Sequence, residues 1–82
     1  MTALHTDLLA LLKSVGIYGL NAEDCLRRLR VAAHRDLTLP QTEQALRDLA
    51  DKRFIAPFES PLSGKRWRIT ALGGSALNEE GL

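Results

Sequence analysis

The chain has 82 residues and a formal net charge of +1, from 11 Lys and Arg against 10 Asp and Glu. That length fits one small domain, residues 1–82, and excludes an open α/β nucleotide-binding sheet or a barrel enzyme. Hydrophobic residues reach 45% while aromatics stay at 5%, the composition of a globular core built from leucine rather than rings, and too apolar for a disordered chain.

Further classes fall away on single features. The lone Cys25 excludes an intramolecular disulfide and any multi-cysteine zinc site. No apolar run approaches the roughly 20 residues that span a bilayer, and the N-terminus lacks the basic-then-apolar order of a signal peptide. The expected setting is therefore a reducing cytoplasm, without a membrane partner. A charge of +1 argues against a polybasic protein. It does not exclude nucleic acid, because the distribution of charge matters more than its sum.

In chain order, Leu4, Leu8, Leu11 and Val15 recur at helical spacing, with Thr2 as cap and Gly16 as terminator. Leu9 and Leu12 widen this stripe, either to pack on several neighbours or to meet a partner chain. Ile17-Tyr18-Gly19-Leu20 reads as a connector with apolar anchors. Asn21 caps a second helix whose stripe is Ala22, Leu26, Leu29 and Ala33, beside Cys25. Arg27, Arg28, Arg30, His34 and Arg35 crowd its other side and its C-terminal end, where basic residues suit the helix dipole. Leu37-Thr38-Leu39 is short and β-leaning. A third helix runs from Pro40 to about Lys52, with Thr42, Ala45, Leu46 and Leu49 inward. Phe54–Phe58 and Arg66–Thr70 form a hairpin around a long loop, Glu59 to Lys65, that includes Ser60 and Ser63. Pro57 belongs on an edge strand, since it cannot donate to a ladder. Trp67 alternates with Arg66 and Arg68, in phase with Ile69, and so faces the core. Thr70 caps a last helix to about Glu80, in which Gly73-Gly74 allows close packing or a loose turn.

The stretch Leu37 to Leu49, the apolar pair Phe54-Ile55, and Arg66-Trp67-Arg68-Ile69-Thr70-Ala71-Leu72-Gly73 together resemble a winged helix-turn-helix domain of the bacterial regulator type. The resemblance covers about Leu4 to Leu77. It implies an α+β fold with a three-helix core, a β-hairpin wing and a short C-terminal helix. It also implies that a first strand pairs with the second wing strand and leaves the first wing strand at the edge. Many relatives carry glycine where this chain has Arg53, so a different turn is expected there.

The resemblance implies a small DNA-binding protein, a transcriptional regulator, with the third helix in the major groove and the wing (about 54–70) on the backbone or minor groove. Gln41, Thr42 and Gln44 would sit in the first turns of the reading helix. Glutamine suits adenine and Arg47 suits guanine. Lys65, Arg66 and Arg68 on the wing, with Arg28 and Arg35, would meet phosphates. The alternative is a winged-helix module that binds protein instead, favoured by Glu43, Asp48 and Asp51 on the third helix. One positive face joining Arg28, Arg35, Lys65 and Arg66 would favour DNA; basic residues interrupted by acids would favour the protein partner. A homodimer through the first or last helix is a further possibility for assembly. No catalytic residue, metal site or cofactor is expected, since His5 and His34 have no sequence neighbours that form a catalytic pattern and no glycine-rich phosphate loop is present.

Overall fold

Among the described residues, 1–62 and 64–80 of the computed structural model, each of the four helices starts on a Thr or Asn cap. Helix α1 (Ala3–Val15) begins where Thr2 Oγ1 accepts from His5 N, and it ends at Gly16. A 3₁₀ turn (Gly16–Tyr18) leads to α2 (Ala22–Ala32), capped by Asn21 Oδ1, which accepts from Asp24 N at 2.8 Å. Helix α3 (Leu39–Asp51) follows, then strands β1 (Ile55–Ser60) and β2 (Gly64–Ile69), and then α4 (Ala71–Glu79) behind the Thr70 cap. These caps satisfy N–H groups that the first turn of a helix cannot bond internally.

The strand expected at Leu37-Thr38-Leu39 does not form. Thr38 and Gln41 make a reciprocal capping box instead, with Gln41 N to Thr38 Oγ1 at 3.3 Å and Thr38 N to Gln41 Oε1 at 3.0 Å. Leu39 is then the first residue of α3, with Pro40 in its first turn. Local capping outweighs the weak β preference of three residues. The bridge to the second wing strand comes from Leu20, in the connector after α1. Leu20 N donates to Trp67 O at 2.9 Å, and Trp67 N donates to Leu20 O at 2.8 Å. In that connector only Leu20 anchors as expected, since Ile17 and Tyr18 are each 76% exposed.

The antiparallel hairpin pairs Ile55 with Ile69 at its base and Ser60 with Gly64 at its tip. Its strands therefore run further than the sequence suggests, and residues 61–63 connect them; Ser63 lies outside the described residues. β1 is the edge strand and carries Pro57, as expected.

The core collects Leu8, Leu9 and Leu12 of α1, all fully buried, with Leu29, Leu46, Leu49, Ile55, Trp67 and Leu77. Leu9 and Leu12 therefore pack on the chain's own neighbours. Ala33, expected in the stripe of α2, is exposed at that helix's C-cap. Helix α1 lies against α2, α3, α4 and β2 at once.

Between α3 and β1, Arg53 adopts φ 63, so the turn keeps the left-handed form that glycine usually supplies. The expected departure there is confined to the side chain. Arg53 N donates to Ala50 O at 2.9 Å, Phe54 N to Leu49 O at 3.0 Å, and Thr70 Oγ1 to Arg53 O at 2.7 Å. These bonds hold the residue in a conformation that costs a non-glycine residue roughly 1–2 kcal/mol. Gly73 is the close-packing half of the glycine pair. A Cβ there would strike the Phe54 carbonyl and the Ile69 side chain, whereas one on Gly74 would meet nothing within 4 Å.

Three stability outcomes are expected, each measurable by urea unfolding. Gly73→Ala destabilises by about 1–3 kcal/mol through overpacking, whereas Gly74→Ala stabilises by about 1 kcal/mol through helix propensity. Arg53→Gly stabilises by about 1 kcal/mol or slightly less, because relief of the left-handed strain exceeds glycine's greater freedom in the unfolded chain.

Candidate nucleic-acid interface

Helix α3 turns its apolar stripe inward, so its outer face is set by Gln41, Glu43, Gln44, Arg47 and Asp51. Thr42, expected among the base contacts, is fully buried. Its hydroxyl donates to Thr38 O at 2.9 Å, which leaves it no surface to offer. Gln41 is exposed, with Oε1 engaged in the capping box.

The wing meets α3 across a cleft lined by Ala22, Glu43, Leu46, Arg47, Lys65 and Trp67. Trp67 is 8% exposed and belongs to the core, as its alternation indicated. Lys65 Nζ lies 4.6 Å from the Trp67 ring centroid, over the ring face. Such a cation–π contact is worth about 0.5–1 kcal/mol at exposed sites and orients the ammonium. Arg47 and Lys65 thus come from different elements to one cleft, whose lining also includes the acid Glu43.

The other basic residues diverge. Arg66 is half-buried, and its Nη2 donates to Gly19 O at 3.3 Å, back toward the connector after α1. Arg68 is exposed, with its guanidinium carbon 5.1 Å from the Phe58 ring centroid. Arg35 shares a shallow depression with Asp36, His34 and Gln41. Arg28 lines another, between α1 and α2, with Asp7. Lys65, Arg35 and Arg28 therefore line three separate depressions, each with an acid in its lining, while Arg66 bonds back to Gly19. Among the remaining bases, Arg30 Nε donates to Leu37 O at 2.7 Å and fixes the path from α2 to α3.

A hydrogen-bond chain on α3 joins side chains three and four residues apart, which a helix brings together, and continues to a remote partner on α1. Gln44 Nε2 donates to Asp48 Oδ1 at 2.9 Å, and Arg47 Nη2 donates to Gln44 Oε1 at 3.2 Å. Asp48 Oδ2 lies 3.2 Å from His5 Nε2 on α1. His34 Nε2 lies 2.7 Å from Asp7 Oδ2. Both histidines therefore have carboxylate partners, 43 and 27 residues away along the chain. The signal available in sequence was only that His5, Asp7 and Asp48 sit on helix flanks and His34 just past the end of α2. The hydrogen bonds from Gln44 and then His5 hold the Asp48 carboxyl below its usual value. Burial opposes them, and the nearby Lys52 charge assists. On α2, burial and the neighbouring Asp24 charge push the Cys25 thiol up to about 12, with Arg28 acting the other way. A buried, protonated thiol is a poor nucleophile. Among the described residues, no group of three or more His, Cys, Asp and Glu could hold a metal ion, and no helix is long and apolar enough to cross a membrane.

No protein-family model and no curated protein matches this chain. Among solved structures, S. aureus MepR bound to ethidium bromide is similar, with a TM-score of 0.78 and 21% sequence identity. The likeness covers 95% of this chain and 53% of the MepR chain. A glycine-to-arginine mutant of S. aureus MepR is similar at a TM-score of 0.77 and 21% identity, over 95% of this chain and 52% of that one. The chain thus spans about half the length of these structures. The chain has the winged-helix fold: α2 and α3 form the helix-turn-helix, β1 and β2 the wing, and α4 the short C-terminal helix.

The lowered Asp48 carboxyl has a signed consequence. A folded-state value below the unfolded one adds stability that is present above the unfolded value and is lost as pH falls through the folded one. Asp48→Asn therefore destabilises at neutral pH. Its deficit relative to the native chain shrinks as pH falls below about 4, which urea unfolding at neutral and acid pH checks.

Proposed function

We propose that residues 1–82 form one winged-helix domain that binds double-stranded DNA and acts as a small transcriptional regulator in a bacterial cytoplasm. The observation that carries this reading is the cleft between α3 and β2, to which the helix contributes Arg47 and the wing contributes Lys65. A helix-turn-helix sets its second helix in the major groove, where side chains from its exposed face reach base edges. On this reading Gln41 and Arg47 face bases. Lys65 at the wing tip meets a backbone phosphate or the minor groove, and Arg68 and Arg35 supply flanking phosphate contacts. Arg66 and Thr42 serve the fold. Arg28, beside Asp7, lies toward the α1–α2 side and contributes least.

A second reading, a protein-binding module, is favoured by one observation: Glu43, Asp36 and Asp7 stand beside Arg47, Arg35 and Arg28 respectively. Acids so placed repel phosphate and suit a partner of mixed charge.

Fluorescence anisotropy with mixed-sequence duplex DNA at low salt separates the two. DNA binding predicts saturation below about 100 μM protein, since non-specific affinities lie near 10⁻⁴–10⁻⁶ M even at physiological salt. Lys65→Ala then weakens binding to all sequences alike and lowers the salt slope by about one unit. Absence of binding at that concentration overturns the DNA reading in favour of the protein partner.

A further inference from the structure

The chain of bonds on α3 decides which side chain is available to a base. A carboxylate only accepts, so the end of the Gln44 amide that meets Asp48 is its NH₂ group. A guanidinium only donates, so the end that meets Arg47 is the amide oxygen. Both ends of Gln44 are thus held by its own helix, so Asp48 and Arg47 fix its amide plane, and what it has left for a base is one N–H and one oxygen lone pair. Recognition of adenine by glutamine needs the donor and the acceptor together. Arg47 differs: a guanidinium has five N–H donors, and the bond to Gln44 uses one.

The anchoring continues into α1. Asp48 uses its second oxygen on His5 Nε2, which carries the proton of that bond. His5 Nδ1 accepts from Thr2 N at 3.3 Å and lies 2.8 Å from Thr2 Oγ1. His5 has only 16% of its side-chain surface exposed. Thr2, the cap of α1, therefore stands at one end of a line of hydrogen bonds and Arg47 at the other.

From this we propose that Gln44 and Asp48 are positioning residues for Arg47, so that Arg47 reads one base pair, as guanine, and Gln44 reads none. The inference rests on the DNA-binding reading above and assigns its sequence choice. Arg47 meets the DNA with its guanidinium already oriented, and a bidentate contact to guanine follows without reorganisation.

The experiment is selection from a randomised duplex pool. Anisotropy titrations on the selected duplex, its single-base variants and a mixed-sequence duplex follow. The native chain prefers guanine at one base pair by about tenfold. Arg47→Ala abolishes that preference. Gln44→Leu and Asp48→Ala each reduce it by about threefold or more, while affinity for mixed-sequence duplex changes by less than about twofold, because they remove a readout geometry and not a phosphate contact. Gln44→Leu breaks no bond to another element, so it separates positioning from any loosening of α1 on α3. The proposal is overturned if Gln44→Leu leaves the guanine preference intact, or if it removes an adenine preference instead. Failure of the native chain to bind any duplex overturns the DNA reading and this inference with it; binding with an unaltered preference in the variants overturns this inference alone.

Discussion

Two backbone hydrogen bonds between Leu20 and Trp67 hold the wing to the helices. A two-stranded hairpin alone is marginal in water. Here its inner strand is tied at one point to the connector after α1, and Trp67 and Ile55 enter the core beside that point. The junction is tight. Gly19 precedes Leu20 at φ 62, and a Cβ there would strike the Trp67 carbonyl and the Phe58 ring. Only glycine fits both demands. Lys65, two residues before Trp67, then lies on the same side of β2 and overhangs the cleft to α3. The cleft is a consequence of that junction, because moving Trp67 moves Lys65 with it.

Helix α1 serves as the second fixed element. Its leucines fill the centre, while its flanks carry His5 toward α3 and Asp7 toward the end of α2. Both polar ties are made by partly exposed groups, so each is worth little alone. Together they set how α2 and α3 rest on α1, which is the geometry that presents the helix-turn-helix.

Elements with local causes were legible in the sequence. The caps Thr2, Asn21 and Thr70 fixed helix starts, and the alternation of Trp67 and Ile69 gave the inner face of β2. Pro57 marked the edge. What lacked a local cause was not legible. A one-residue bridge at Leu20 has no period, and three residues of β preference at 37–39 looked stronger than the capping box that replaced them. The direction of Arg66 depends on Gly19, 47 residues away, and the partners of His5 and His34 are similarly remote. Thr42 carried both readings, since it lies on the inward stripe and also in the first turn of the reading helix. Burial decided between them.

The exposed edge of β1 is where such a small fold is open to association. Trp67 directs its N–H and C=O at Leu20, so its partner Pro57 forms a non-hydrogen-bonded pair and its own backbone points outward. The missing N–H therefore costs the hairpin nothing. It falls in the row of groups that a strand from another molecule would need, at the middle of the edge. An incoming strand finds a gap in the donor row there, which works against edge-to-edge polymerisation. Pro57, with the exposed charge of Glu59 two residues on, thus makes the free edge of the wing a poor template for a second strand.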